Sequence, residues 1–192
     1  ILVFPFLDGD GKMQFVKYRK TDFDRERDKN KEWCEAGCKP ILFGMAQCEG
    51  TDRLVVTEGQ IDSLSVATAG IGNAVSVPNG AKGFAWIPYC WDWINRFREV
   101  VVFGDYEKGR ITLLEELSQR LKCTVRHVRE EDYLDCKDAN EILQRHGPGQ
   151  VRKCVENAVM VPVRRVTDLA DVEDVDIFNL QKLKTGISRL DR

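Results

Sequence analysis

Leu54-Val55-Val56-Thr57-Glu58-Gly59-Gln60-Ile61-Asp62 and Glu99-Val100-Val101-Val102-Phe103-Gly104-Asp105-Tyr106-Glu107 decide the fold of this chain. Each begins with a short apolar run rich in β-branched residues, the pattern of a strand covered on both faces, and each then breaks into glycine and acidic residues. Apolar residues at helical spacing run from Ile61 to Ala69 and stop at Gly70, so the first stretch opens a strand-turn-helix unit. Outward from these, Asn73–Val77 reads as a strand closed by Pro78-Asn79-Gly80, and Lys82–Phe97 as an aromatic-rich helix carrying Trp86, Trp91 and Trp93, which we read as core anchors. Arg110–Leu121 reads as a helix, Cys123–Val128 as a strand, and Asp138–His146 and Gln150–Ala158 as two helices parted by Gly147-Pro148-Gly149. Strands alternating with helices predict an α/β domain with a mainly parallel, Rossmann-like central sheet and helices on both faces.

Ahead of this lies a smaller β-rich region. Ile1–Leu7 and Met13–Arg19 flank Asp8-Gly9-Asp10-Gly11 and predict a hairpin, while the dense mixed charge of Thr21–Glu35 predicts a solvated loop. The Asp8 turn resembles the start of a calcium loop, but Arg19 stands where the bidentate Glu is required, so a plain turn is expected. The expected organisation is 1–50 as an N-terminal subdomain, 51–160 as the α/β domain and 161–192, acidic and irregular, as a linker.

At 192 residues, 43% hydrophobic and 31% charged, the chain matches a globular domain with appendages and carries no apolar span for a membrane. A formal net charge of −2 excludes bulk attraction to nucleic acid, so binding there needs a local basic surface. The seven cysteines accompany no secretory leader and fit reduced thiols in a cytoplasmic setting. Cys34, Cys38 and Cys48 lack the paired Cys-x-x-Cys spacing of a zinc site and read as loop and core thiols.

Functional groups of a parallel sheet gather where strand carboxyl ends empty into loops. Glu58, Asp105 and Glu107 follow strands there, with Asp135 and Asp138 further along. Acids so grouped repel one another unless a cation neutralises them, and an all-oxygen set selects Mg²⁺ or Mn²⁺. Singly, each is an ordinary surface acid or helix cap.

Four segments in order, Thr57–Asp62, Pro78–Ala81, Phe103–Arg110 and Lys137–Glu141, resemble the successive motifs of TOPRIM domains in phage-type DNA primase-helicases, with DnaG-type primases and Twinkle as more distant relatives. Lys17-Tyr18-Arg19 and Ile41–Gly44 resemble the subdomain that precedes TOPRIM in those enzymes. The resemblance implies proton transfer or metal binding for Glu58, a metal pair in Asp105 and Glu107, and a further metal acid in Asp138. It makes Lys17, Arg19, Lys82, Arg110 and Lys137 candidates for nucleotide phosphates or template, against the alternative of a solvated basic face. It departs from the family at Gly104–Arg110, where the Asp-x-Asp signature is shifted by one residue and carries Glu in its second slot. Metal-dependent transfer of ribonucleotides on a single-stranded DNA template, in the cytoplasm of a bacterial or phage-infected cell, is the implied activity. A non-catalytic coupling module of a Twinkle-like helicase is the alternative, and a TOPRIM nuclease a weaker one. Lys184–Asp191 resembles the entry to a helicase domain, yet no Gly-x-x-x-x-Gly-Lys-Ser/Thr loop occurs, so a covalently linked helicase and a template-reading zinc domain are expected outside a chain that reads as a fragment.

Overall fold

In the computed structural model the described residues are Ile1–Val161, which form one compact unit; the expected linker lies outside them. β1 (Leu2–Leu7) and β2 (Met13–Arg19) pair antiparallel, with Phe4 opposite Lys17 and Phe6 opposite Phe15. The Asp8 carboxylate closes its own turn by accepting the N–H groups of Asp10 and Lys12, both at 3.0 Å. β3 (Glu32–Cys34) adds to β2, a departure from the loop expected over 21–35. Cross-strand pairing explains it, since Glu32 lies between Lys17 and Arg19 and Trp33 stacks on Tyr18 with centroids 5.6 Å apart.

The chain then enters β4 (Arg53–Thr57), α1 (Gln60–Thr68), β5 (Ala74–Ser76), α2 (Ile87–Ile94) and β6 (Glu99–Phe103). A ribbon follows, β7 (Tyr106–Glu107) and β8 (Arg110–Ile111), then α3 (Thr112–Leu117), β9 (Thr124–His127), α4 (Glu130–Tyr133), α5 (Ala139–Glu156) and β10 (Val159–Met160). The central sheet has the order β10-β9-β6-β4-β5, parallel except for β10 at its edge. Leu54, Val55, Val56 and Val100, Val101, Val102 are all inaccessible, so successive side chains are covered on both faces. α1 packs on α5, and the Phe43–Ser76 bridge ties the N-terminal region to the edge strand β5.

α2 and α3 are shorter than expected. α2 is shorter than Lys82–Phe97 because turns follow Gly80 and the helix starts only at Ile87, with Pro88 in its first turn, where a missing N–H costs nothing. α3 loses Arg110 and Ile111 to the ribbon, whose turn residues Lys108 (φ 53°) and Gly109 (φ 78°) adopt the left-handed pair of a tight hairpin. The two helices expected after Asp138 are present as the halves of α5, parted at Gly147 (φ 78°, ψ 176°).

Candidate active site

β4 and β6 are parallel neighbours with Thr57 level with Phe103, so their following residues emerge side by side at one sheet edge. Glu58 spans the loops there: one oxygen accepts the Ala81 N–H at 3.0 Å and the other the Asp105 N–H at 3.1 Å. Gly104 lets Ile111 pack against the strand end, because a Cβ in its place would stand 2.7 Å from Ile111 Cγ2, and its carbonyl accepts the Tyr133 hydroxyl at 2.7 Å.

Asp105 is half-buried, and its carboxyl is pushed up to about 7, first by burial and then by the charges of Glu58, Asp62 and Asp138. Asp62, in the first turn of α1, is buried and pushed up to about 6 by burial and by Asp138; it accepts the Asn140 N–H at 3.1 Å. Asp138 caps α5 by accepting the Glu141 N–H at 2.8 Å and pairs with Lys137 at 3.4 Å. Carboxylates from three segments of the chain therefore converge electrostatically on Asp105, with Lys137 as the opposing cation for Asp62 and Asp105.

Of the residues expected from the sequence, Glu58, Asp105 and Asp138 are brought into this cluster. Glu107 is exposed on β7, opposite Arg110, and lines an open groove of about 460 Å³ with Glu58, Asp105, Lys82 and Arg110. Asp62 lies on a helix rather than after a strand. Its signal is an acid one turn before Val66 on the buried face of α1.

The expected phosphate-binding cations divide. Lys82 and Arg110 are exposed in the groove. Lys17 is committed within the molecule, its ammonium paired with Glu32 and donating to the Pro78 carbonyl at 3.1 Å and Gln60 at 3.3 Å. Arg19 also pairs with Glu32, at 3.4 Å, and borders a second groove of about 500 Å³ with Lys20, Lys31, Asp62 and Asp138. Cys34 and Cys38 approach to 4.0 Å, whereas Cys48 turns its thiol to the Gly44 carbonyl, so the three do not converge.

All donors in the cluster are carboxylate oxygens, a set that fits a hard divalent cation. Their mutual repulsion is what such a cation relieves.

No family model matches the chain. Its fold resembles that of the zinc-binding and RNA polymerase domains of the Aquifex aeolicus primase, with a TM-score of 0.66 at 20% identity over 83% of this chain and 40% of that one. Bacteriophage T7 primase domains, in a structure bound to an RNA/DNA hybrid and dTTP, match with a TM-score of 0.65 at 24% identity over 83% of this chain and 78% of that one. The fold is thus like that of these primase domains. In sequence the chain is 29% identical over 175 residues to a primase homolog of Arabidopsis thaliana, covering 80% of this chain and 49% of that protein. A chloroplastic/mitochondrial Twinkle homolog of the same plant is 27% identical over 166 residues, 75% of this chain and 23% of the homolog. The primase-like chain thus spans at most about half the length of these relatives. Among the described residues no helix is long and apolar enough to cross a membrane.

Proposed function

We propose that this primase-like chain is the catalytic part of a DNA primase or primase-helicase, joining ribonucleoside triphosphates into primers on single-stranded DNA with Mg²⁺ or Mn²⁺. The observation that carries the proposal is the contact of Glu58 with the Asp105 backbone at the carboxyl edge of adjacent parallel strands, with Asp62 and Asp138 close enough to raise the Asp105 carboxyl. When bound, the cation supplies charge neutralisation at the reacting phosphate and lowers the pKa of the attacking hydroxyl. Glu58, Asp105, Asp62 and Asp138 are the residues that would hold it. Glu58 also fixes the loop after β5 through Ala81, holding Lys82 beside the acids. Lys82 and Arg110 offer exposed cations to a triphosphate at the groove rim. Arg19, Lys20 and Lys31 offer a basic wall to the template in the second groove, which answers the lack of net positive charge. Asp105, titrating near neutrality, makes cation affinity rise with pH.

A linked helicase domain outside this chain remains part of the proposal, as does a bacterial or phage-infected cytoplasm; the Twinkle homolog adds chloroplasts and mitochondria as settings for the same chemistry. A second reading, a non-catalytic coupling module of a helicase, draws on that homolog and on Gly104 at the strand end with Glu107 exposed beyond it. Labelled ribonucleotide incorporation by the full-length protein on single-stranded DNA separates the two. The proposal predicts cation-dependent oligoribonucleotides, reduced at least about 100-fold by Glu58→Gln. Their absence in the wild type favours the coupling module.

A further inference from the structure

Behind the carboxylate cluster, the chain leaves α4 through Leu134, whose backbone is left-handed in φ (56°, ψ −121°), and turns Asp135 and Cys136 toward the kink of α5. His146 ends the first half of that helix, immediately before Gly147. One donor atom from each of Asp135, Cys136 and His146 lies within 4.8 Å of the other two. Asp135 Oδ1 stands 3.3 Å from His146 Nε2 and 3.9 Å from Cys136 Sγ. Tetrahedral zinc, with bonds of about 2.0–2.3 Å, sets its ligand atoms about 3.3–3.8 Å apart, so only small side-chain shifts are needed to close the set.

The geometry points to a zinc-class metal site formed by Asp135, Cys136 and His146, separate from the carboxylate cluster. Sulfur, imidazole nitrogen and carboxylate oxygen together suit Zn²⁺ and are a poor set for Mg²⁺ or Ca²⁺. Arg145 holds the outer carboxylate oxygen, Asp135 Oδ2, at 3.2 Å, which aims Oδ1 at the other two donors and supports the site from behind. Cys136 is buried while Asp135 is exposed, so the fourth position opens to water. Binding there staples the 134–136 turn to α5 and thereby anchors Lys137 and Asp138, which follow directly. The sequence alone hides this site, because Asp135 and Cys136 stand eleven and ten residues before His146 and meet it only where the turn after α4 folds back along the first half of α5.

Cobalt is the probe, since a thiolate ligand to Co²⁺ gives a sulfur-to-metal charge-transfer band and tetrahedral geometry gives strong visible bands. The metal-free chain is titrated with Co²⁺ under reducing conditions in an excess of Mg²⁺, which occupies the carboxylate cluster. The site predicts one equivalent of Co²⁺ with a charge-transfer band, displaced by Zn²⁺. Cys136→Ser abolishes the band, and the exposed-side variant His146→Ala weakens binding at least about tenfold. Cys34→Ser leaves both unchanged, which separates this site from the Cys34–Cys38 pair. If the buried Cys136→Ser variant does not fold, His146→Ala carries the test alone. Absence of the band, its survival in the folded Cys136→Ser variant, undiminished binding in His146→Ala or its loss in Cys34→Ser overturns the assignment; a plain surface ion pair of Asp135, Arg145 and His146 gives no band.

Discussion

Replacing Asp105 by Asn isolates the electrostatic cost of the carboxylate cluster. The Asp105 carboxyl is raised from an ordinary 3.8 to about 7, by burial and by Glu58, Asp62 and Asp138. At about 1.36 kcal/mol per unit that difference amounts to about 4 kcal/mol of lost stability when the group is charged. Solvent reaches part of the side chain, and screening reduces the figure to about 2 kcal/mol. The sign follows from proton binding: between pH 4 and 7 the folded state holds the proton more tightly than the unfolded state, so stability falls as pH rises and the full penalty applies above about pH 7. Asp105→Asn removes it. The variant is therefore about 2 kcal/mol more stable than wild type at pH 8, or about 4–8 °C in Tm, with the gap closing near pH 4. Mg²⁺ at about ten times its Kd stabilises the wild type by about 1.4 kcal/mol at pH 8 and gives the variant much less. Thermal melts at pH 4, 6 and 8, with and without Mg²⁺, read all of this. A variant no more stable than wild type at pH 8, or a gap equal at pH 4 and pH 8, would show that burial and the neighbouring acids place no penalty on the charged Asp105 carboxylate.

Gly44→Ala is expected to cost about 2–4 kcal/mol in denaturant melts, because Gly44 has φ +92° and an added Cβ would stand 2.6 Å from the Ala74 carbonyl oxygen. Trp86 is fully buried, so Trp86→Ala should cost about 3–5 kcal/mol by the same measurement. Trp86→Phe should cost far less, since the indole Nε1 has no hydrogen-bond partner among the described residues. Glu99 carries an ion pair to both Arg53 and Arg126, which outweighs the upward push of burial and holds its carboxyl below the usual range. Glu99→Gln should cost about 1–2 kcal/mol at neutral pH, and the difference should shrink as acid protonates the wild-type carboxylate.

Much of the fold was legible because β4 and β6 are unbroken apolar runs, and runs of that kind admit few readings other than buried parallel strands. β3 was not, because Glu32-Trp33-Cys34 lies in a charged stretch and owes its pairing to Lys17, Arg19 and Tyr18, distant in sequence. The helical spacing at Arg110 and Ile111 misleads, because the hairpin turn at Lys108-Gly109 draws both residues into β8 and α3 starts only at Thr112. In the site, Glu58 and Asp105 were legible from their place after strands. Asp62 was not, since only the tertiary packing of α1 on α5 brings it to Asp138. Lys17 reads as a free cation in one dimension and is tied to Pro78 and Gln60 in three.

We infer that Glu58 and Asp105, with Asp62 and Asp138, form a divalent cation site. Paramagnetic resonance of Mn²⁺ titrated into the chain tests it most directly, with Cys136→Ser as the control for the separate sulfur-containing cluster. One weak Mn²⁺ site is expected, competed by Mg²⁺, tighter at pH 8 than at pH 6, retained in Cys136→Ser and weakened at least about tenfold in both Glu58→Gln and Asp105→Asn. Mn²⁺ binding unchanged in both carboxylate variants would contradict it.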